Sequence, residues 1–488
     1  MSRRILAILG ARLRAHLGGE LIPFAALLAQ GSLVAVLCLL VRSELSPWGY
    51  SLFALLSSAG LVALTLLGEF GTLLRADPAA AWSEALPASA LERRLGHSGA
   101  VLVLLLVLTL GVMIPAVLLA PGEMTWLQRG GLLAAGLGQS LAIGSTLLAV
   151  QALLGDRIEG LLVLLQTLLV VGAVTGLLRA PAMGPAVAAI ESGEAEWPLL
   201  LSWTPAAWYA GAVAAAPAAA SLPGTAVLVL ITALALVLLA LLPPAPHEVF
   251  RRARTPLAMA LSPLRALATR SWVRPTERGI FDLVYDALPL ERDFVLRTYP
   301  MFGIPLAFLV AGARGSGGRE LDDLLALLLF TPAVYLPVLL AHVPVTSSPE
   351  ARWLVECAPV SPRALENGAI KALAVRFLLP LYLALAVLAA AFAGPFFALR
   401  LALPGALFTL LALRILYPRC ALGVPLSTRA SEIEVRHDWT GLLITLAALL
   451  TVLALFAQRY VIDVPRTLGL VAVLLVIEYV QNRKALSA

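Results

Sequence analysis

The feature that most constrains the fold of this chain is a succession of long, almost uncharged apolar runs. A helix needs about 20 apolar residues to cross the hydrocarbon core of a bilayer. The runs are continuous rather than alternating, which indicates helices and not the strands of a membrane barrel. A helix also satisfies its own backbone hydrogen bonds, as hydrocarbon requires. The sequence therefore predicts an all-α polytopic membrane protein.

Twelve runs are long enough to be read as spans. We predict them at 21–42, 50–74, 99–120, 130–154, 160–178, 223–242, 298–313, 323–345, 371–395, 400–418, 440–458 and 466–482. A basic, proline-rich segment separates the first six from the last six. This pattern predicts a first membrane half at 1–242, a cytoplasmic linker at 243–297 and a second half at 298–488. Since each half has an even number of spans, the halves run in the same direction as parallel repeats.

The basic residues predict the orientation. With the N-terminus inside, the cytoplasmic segments carry 25 Arg and Lys residues and the external segments carry eight. Positive charge accumulates on the cytoplasmic side of membrane proteins, so both termini are expected in the cytoplasm. Before the first span, residues 3–17 place leucines on one helical stripe and arginines off it. This pattern fits an amphipathic helix in the membrane interface, and it equally fits a simple positive flank.

A short stretch between the second and third spans occurs in both halves. The first copy runs from Pro78 to Gly96 and the second from Pro349 to Gly368. Allowing one inserted residue, a Pro, a Trp, a second Pro, a Ser and a Gly coincide, and the two tryptophans are 271 residues apart. Self-similarity at a fixed spacing indicates a repeated architecture. The alternative is two loops that look alike because both cap spans.

The motifs of several function classes are missing. A P-loop needs a lysine after a glycine, and the only lysines, Lys371 and Lys484, do not follow one. The histidines are isolated, and the three cysteines show no metal-ligand spacing. We therefore predict no catalytic residue and no metal site on this chain. The net charge of +6 is spread over loops on one side, so nucleic acid is not an expected partner.

Charged and amide side chains within the spans are candidate functional residues. Four ionisable residues lie near the predicted cytoplasmic ends, where we expect them to snorkel to water: Glu69, Arg376, Arg414 and Glu478. Three deeper amides are expected to form interhelical hydrogen bonds: Gln139, Gln151 and Gln166. This distribution shows no proton or sodium relay across the midplane.

Two sets of residues carry a family resemblance. Leu86-Pro87-Ala88-Ser89 and Ala358-Pro359-Val360-Ser361 resemble the Leu-Pro-Val-Ser loop in membrane subunits of bacterial ATP-binding-cassette exporters of the type-2 class. The segment from Trp203 to Trp208 resembles the Pro-x-x-Trp segment on the outer side of that family. The chain departs from the family pattern because members often have six spans and dimerise. Its second half also has only a short segment, 459–466, where the first half has a long outer loop.

The resemblance implies a permease subunit in the bacterial cytoplasmic membrane, surrounded by the lipid bilayer. Two copies of a separate P-loop ATPase subunit would hold ATP-Mg and dock on loops 75–98 and 346–370, and further membrane subunits are compatible with this arrangement. The docking residues implied are Trp82, Glu84, Pro87, Glu92, Trp353, Glu356, Pro359 and Glu366. The outer-loop aromatic segment would place Trp203, Pro205, Trp208 and Tyr209 at the outer headgroup level.

Two other functions remain open from the sequence. A stand-alone secondary transporter also commonly has two parallel six-helix halves. A membrane-embedded transferase acting on lipid-linked substrates would use the outer segment, with Glu191, Glu194 and Glu196 as its acidic groups. Transport without ATP would favour the first of these, and loss of activity on mutating the glutamates would favour the second.

Overall fold

The fold is that of a computed structural model. It describes residues 2–17, 22–68, 89–154, 159–192, 194, 204–215, 225–241, 260–313, 319–346, 348–358, 360–428, 440–461 and 463–487. These residues form two compact units. The first comprises residues 1–169 and 176–250, and the second comprises residues 170–175 and 251–488.

Eight described helices precede residue 250. They are α1 (Ser2–Leu17), α2 (Ile22–Val41), α3 (Pro47–Gly68), α4 (Ala90–Leu118), α5 (Trp126–Leu154), α6 (Glu159–Ser192), α7 (Pro205–Val213) and α8 (Thr225–Leu241). Local sequence explains several of their starts. At α3, the Ser46 hydroxyl accepts a hydrogen bond from the Gly49 amide at 3.0 Å, and Pro47 occupies the first helical position. Serine caps and first-turn prolines are typical of helix N-termini.

Helix α4 lies at the centre of the first unit, in contact with α1, α2, α3 and α5. Small residues allow close approach: a Cβ atom on Gly31 of α2 would lie 2.7 Å from the Gly111 carbonyl oxygen of α4. Polar groups link helices as well, since the Tyr50 hydroxyl donates to the Ala116 carbonyl at 2.6 Å. The Gln139 amide donates to the Leu55 carbonyl at 3.1 Å. The predicted interhelical hydrogen bond of Gln139 is thereby confirmed.

Twelve described helices follow residue 250. They are α9 (Ser262–Ser271), α10 (Arg278–Ala287), α11 (Arg292–Thr298), α12 (Gly303–Ala313), α13 (Arg319–Phe330), α14 (Leu336–Ala341), α15 (Arg352–Glu356), α16 (Pro362–Leu373), α17 (Leu379–Ala393), α18 (Pro395–Cys420), α19 (Thr440–Tyr460) and α20 (Val464–Ser487). A π-helical turn, Ala374–Leu378, joins α16 to α17 without interruption. In the part of the chain that the structure describes there is no strand, and one isolated bridge pairs Val345 with Thr428.

Helix α18 organises the second unit, in contact with α13, α14, α16, α17 and α20. It is separated from α17 by Gly394, whose φ of 90° is a conformation that other residues rarely adopt. Further along α18, a Cβ atom on Gly405 would lie 2.8 Å from the Leu329 carbonyl oxygen of α13. The Tyr382 hydroxyl of α17 donates to the Gly405 carbonyl at 3.0 Å. Small residues and hydroxyls therefore set the spacing of these helices, as in other membrane bundles.

Seven described helical segments are long and apolar enough to cross a membrane. They are Pro47–Leu66, Leu91–Leu118, Phe294–Gly312, Leu321–Ala341, Pro362–Ala393, Pro395–Cys420 and Val464–Gln481. Three shorter apolar helices, Gln30–Val41, Gly160–Gly176 and Thr445–Tyr460, accompany them. Large apolar side chains on α8, α19 and α20 face outward, where lipid would solvate them. The prediction of an all-α polytopic membrane protein is confirmed.

Two stretches contain more helix than the predicted spans alone require. Helix α6 continues to Ser192, well beyond the predicted end of its span at residue 178. Residues 260–297, predicted to lie in a linker, form three helices that belong to the second unit. Helix α10 packs against α16, which begins at Pro362 within the second repeated stretch. This packing places part of the basic segment beside the second repeated stretch.

Candidate functional site

The repeated stretch begins a helix in both units. Ser89 precedes α4 with φ −65° and ψ 156°, and its side chain accepts a hydrogen bond from the Glu92 amide. Ser361 precedes α16 with φ −66° and ψ 148°, and its side chain accepts from the Ala364 amide. The matched serines are therefore N-caps of the same geometry. The sequence similarity corresponds to a real similarity of local backbone.

In the first copy, most of the implied docking residues fall outside the described residues: Trp82, Glu84 and Pro87. The remaining one, Glu92, is buried. Its carboxylate accepts a hydrogen bond from the Ser89 amide at 2.8 Å and completes a capping box. Its described role is to stabilise the start of α4, where a negative charge also favours the helix dipole.

In the second copy, the corresponding stretch protrudes. A 3₁₀ turn, Pro349–Ala351, leads into the short helix α15. Trp353 on α15 is 60% exposed, and the Glu356 carboxylate pairs with the Arg352 guanidinium one turn away. Pro359 lies outside the described residues, and Glu366 lies half-buried on α16. Trp353 is therefore the implied docking residue that the structure leaves most available to a partner.

The residues just before this protrusion are fixed to the second unit. The Thr346 hydroxyl donates to the Glu291 carboxylate at 2.8 Å, and the Thr346 amide donates to the Thr428 carbonyl at 3.0 Å. The Ser348 amide in turn donates to the Thr346 hydroxyl at 3.2 Å. The chain therefore enters the exposed element from an anchored position.

Helix α16, which follows the exposed element, is held by a buried ion pair. The Lys371 ammonium lies 2.6 Å from the Glu277 carboxylate, and these side chains are only 5% and 4% exposed. Lys371 also donates to the Trp272 carbonyl at 2.9 Å, and the Arg274 amide donates to Glu277 at 3.1 Å. These bonds join α16 to the turn between α9 and α10. A buried pair with its hydrogen bonds satisfied is strongly destabilised when one partner is removed.

A second ion pair joins α16, α18 and α20. The Arg414 guanidinium lies 2.8 Å from the Glu478 carboxylate and also donates to the Asn367 side-chain oxygen at 3.0 Å. The Arg414 Nε donates to both carboxylate oxygens of Glu478, at 3.0 and 3.2 Å. The expectation that Arg414 and Glu478 snorkel separately is wrong, because they neutralise each other within the helix bundle. Glu69 lies outside the described residues.

A third buried cation, Arg376, lies on the π-helical turn. Its side chain is 7% exposed, and its guanidinium carbon lies 5.1 Å from the centroid of the Tyr285 ring. Its Nη1 atom is buried without a hydrogen-bond partner. A buried donor without an acceptor costs about 1–3 kcal/mol, and more when it is charged. The snorkelling expectation is therefore not met for Arg376 either, because this side chain stays inside the unit.

The Tyr285 ring has a second arginine beside it. The Arg265 guanidinium carbon also lies 5.1 Å from the ring centroid. Arg265 donates to Asp282 at 2.6 Å and to Asp286 at 2.9 and 3.0 Å. Desolvation lowers the pKa of Arg265, but its hydrogen bonds and the charges of the two aspartates outweigh this and raise the pKa overall. Arg265 is therefore a neutralised cation, in contrast to Arg376.

The outer-loop aromatic residues are only partly described. Thr204 caps α7, Pro205 takes its first position, and Trp203 lies outside the described residues. Trp208 is half-buried, and Tyr209 is buried against α5, with its hydroxyl 2.7 Å from the Thr232 hydroxyl of α8. The structure places Tyr209 within the packing of the first unit.

The ion pairs of the second unit were missed from the sequence, although one signal for them exists. The chain contains 33 arginines and only two lysines, so a lysine at position 371 is unusual for this composition. An ammonium is a compact charge that directs separate donors to a carbonyl and a carboxylate, as Lys371 does.

Among the described residues, no group of three or more His, Cys, Asp and Glu side chains is arranged to hold a metal ion.

Comparison with known proteins gives no relative for this geometry. No protein family, no curated protein and no solved structure matches the chain.

Proposed function

We propose that the chain is the membrane subunit of an ATP-driven exporter in the bacterial cytoplasmic membrane. In this proposal it has twelve spans in two parallel halves, both termini lie in the cytoplasm, and a separate P-loop ATPase supplies the energy. The observation that carries the proposal is the exposed Trp353 element, placed directly before a helix that two buried ion pairs anchor. The resemblance of its sequence to the exporter loop gives the proposal its family.

The anchoring explains how a partner could act on the bundle. A subunit that binds α15 would push on a segment that is fixed at Thr346 on one side and followed by α16, from Pro362, on the other. Helix α16 cannot shift alone, because Lys371 ties it to Glu277 and Asn367 ties it to Arg414. Displacement would then reach α18 and α20 through packed side chains and ion pairs, which are the physical carriers of such coupling.

The exposed tryptophan provides the test. We expect Trp353→Ala to weaken binding of the ATPase subunit at least about 30-fold, because a tryptophan at the centre of an interface contributes about 2–4 kcal/mol. The complex would be purified in mild detergent, the subunits quantified, and substrate-stimulated ATPase activity measured. Trp126→Ala is the matched control, since Trp126 is 81% exposed but starts α5 at the opposite, external end in the proposed topology.

Two results would count against the docking proposal. One is an unchanged complex and unchanged ATPase activity in Trp353→Ala. The other is an equal loss in both tryptophan variants, because general destabilisation rather than docking would then explain it. Recovery of the chain without any ATPase subunit, under conditions that preserve other membrane complexes, would also contradict the proposal.

A second candidate function is ion-coupled transport by the chain alone. The observation that favours it is the Arg414–Glu478 pair, which joins α18 and α20 within apolar helices. Ionisable groups in such helices often mark ion pathways. Uptake or efflux by purified protein in vesicles without ATP, driven by a proton or sodium gradient and abolished by Glu478→Gln, would support this function over ATP-driven export.

A further inference from the structure

The buried and half-buried cations around α16 differ in whether a carboxylate pairs with them. Lys371 has Glu277, Arg414 has Glu478, and Arg265 has Asp282 and Asp286. Among the residues that the structure describes, no carboxylate pairs with Arg376. A buried cation without a counter-ion is costly, because removal from water is not offset by a partner charge. This difference marks Arg376 as a group that lacks an anion.

The local backbone around Arg376 is also unusual. Residues Ala374–Leu378 form one π-helical turn between two α-helices. Single π turns inside helices are rare and frequently occur at functional sites. The turn places Arg376 beside Tyr285 of α10, while the next residue, Phe377, packs its ring 5.2 Å from that of Phe294. Two consecutive residues of the π-helical turn, Arg376 and Phe377, are therefore each in contact with an aromatic ring.

The contact with Tyr285 leaves donors available. In a cation–π contact the cation lies near the face of the aromatic ring, and the contact itself occupies no hydrogen-bond acceptor. A guanidinium has five N–H donors. The Nη1 atom has no acceptor in the structure. The Tyr285 hydroxyl is directed to the Leu261 carbonyl at 3.4 Å and so is committed elsewhere. An anion could therefore accept a hydrogen bond from Nη1 while the Tyr285 ring stays in contact with the guanidinium.

We propose that Arg376, supported by Tyr285, forms a binding site for a phosphate oxyanion. A guanidinium presents paired donors that match two oxygens of a phosphate group, and it is weakly hydrated compared with an ammonium. The phosphate belongs either to an anionic lipid headgroup or to a free phosphate compound. The site does not depend on the proposed exporter function, since it requires no ATPase subunit.

The binding test uses the full chain purified in maltoside micelles, which contain no phosphate. Two probes are titrated separately: phosphatidylglycerol incorporated into the micelles, and inorganic phosphate. We expect one probe to bind and Arg376→Gln to weaken that binding at least about tenfold, since a charge-assisted hydrogen bond contributes about 1.5–3 kcal/mol. The control Arg270→Gln removes an exposed arginine of α9 and is expected to bind as the unaltered chain does.

The two probes identify the source of the phosphate. Binding of phosphatidylglycerol alone assigns the site to a lipid headgroup, and binding of inorganic phosphate assigns it to a free compound. Failure of both probes to bind the unaltered chain would overturn the proposal. Binding that is undiminished in Arg376→Gln would overturn it as well.

Unfolding temperatures distinguish loss of an anion site from general misfolding of a variant. In phosphate-free micelles, we expect Arg376→Met to unfold at the same temperature as the unaltered chain or higher, because it removes an uncompensated buried charge. Lys371→Met should unfold at a lower temperature, because it leaves Glu277 without its counter-ion. If Arg376→Met lowers the unfolding temperature as much as Lys371→Met does, Arg376 has a structural partner and the proposal fails.

Discussion

The buried pair between Lys371 and Glu277 gives the sharpest prediction for stability. Their side chains are 5% and 4% exposed and 2.6 Å apart. Replacing Lys371 by Met leaves the Glu277 carboxylate buried, with the Arg274 amide still donating to it at 3.1 Å. Removing one partner of a buried ion pair costs about 3–5 kcal/mol. We therefore expect Lys371→Met to lower the free energy of unfolding of the second unit by that amount.

A double-mutant cycle separates the pair from the individual side chains. Glu277→Leu alone leaves the Lys371 ammonium with the Trp272 carbonyl, so it should cost a similar amount. Replacing both partners removes both charges, and such apolar replacements of a buried pair are often close to neutral. We therefore expect the double variant, Lys371→Met with Glu277→Leu, to be more stable than either single variant. The coupling energy should be at least about 2 kcal/mol.

The assay is unfolding of the purified chain by titration of maltoside micelles with dodecyl sulfate, followed by circular dichroism. Arg270→Gln, on the exposed side of α9, controls for loss of a positive charge in general. A double variant that lost as much stability as the two single variants together would contradict this prediction. In that case the two side chains would contribute independently, and the pair would not anchor α16.

Two further predictions use the same titration. Ser89→Ala removes the N-cap of α4 and should lower the free energy of unfolding by about 1 kcal/mol, and Ser361→Ala should have a similar effect at α16. If neither variant lowered stability, the repeated serines would not act as caps. Gly31→Ala should cost about 1–3 kcal/mol, because its Cβ would lie 2.7 Å from a backbone oxygen of α4. A Cβ atom on Gly60 would have no neighbour within 4 Å, so Gly60→Ala should instead stabilise α3 by about 0.5–1 kcal/mol. Equal effects of the two glycine substitutions would contradict the close packing of α2 on α4.

The helical class could be predicted from the sequence because it depends on local properties. Apolar runs of membrane length define helices whatever their neighbours are. The boundary at Gly394 and the caps at Ser46, Ser89 and Ser361 are also local, since they depend on glycine and serine at helix ends. The predicted span at 160–178 agrees with the apolar part of α6, Gly160–Gly176. The continuation of the helix to Ser192 was not predicted, because the loss of apolar character does not itself end a helix.

The features of the candidate site could not be predicted because they depend on distant pairing. Glu277 and Lys371 are 94 residues apart, and Arg414 and Glu478 are 64 residues apart. In the sequence, Lys371, Arg414 and Glu478 are single charges near the ends of predicted spans, which is also the pattern of snorkelling side chains. Glu277 is a single acid within the predicted basic linker. Only the folded arrangement shows which charges neutralise one another. The same holds for Arg376, whose lack of a partner is visible only once its neighbours are placed.

The most direct test of the central claim is photo-crosslinking at position 353 in membranes of the source organism. A photoreactive residue would replace Trp353, with a second sample carrying it at position 126 as the control. We expect position 353 to crosslink to a separate protein that contains a nucleotide-binding P-loop, and position 126 not to do so. Crosslinks from position 353 to lipid alone, or to the same protein from both positions, would contradict the claim that the exposed element receives an ATPase subunit.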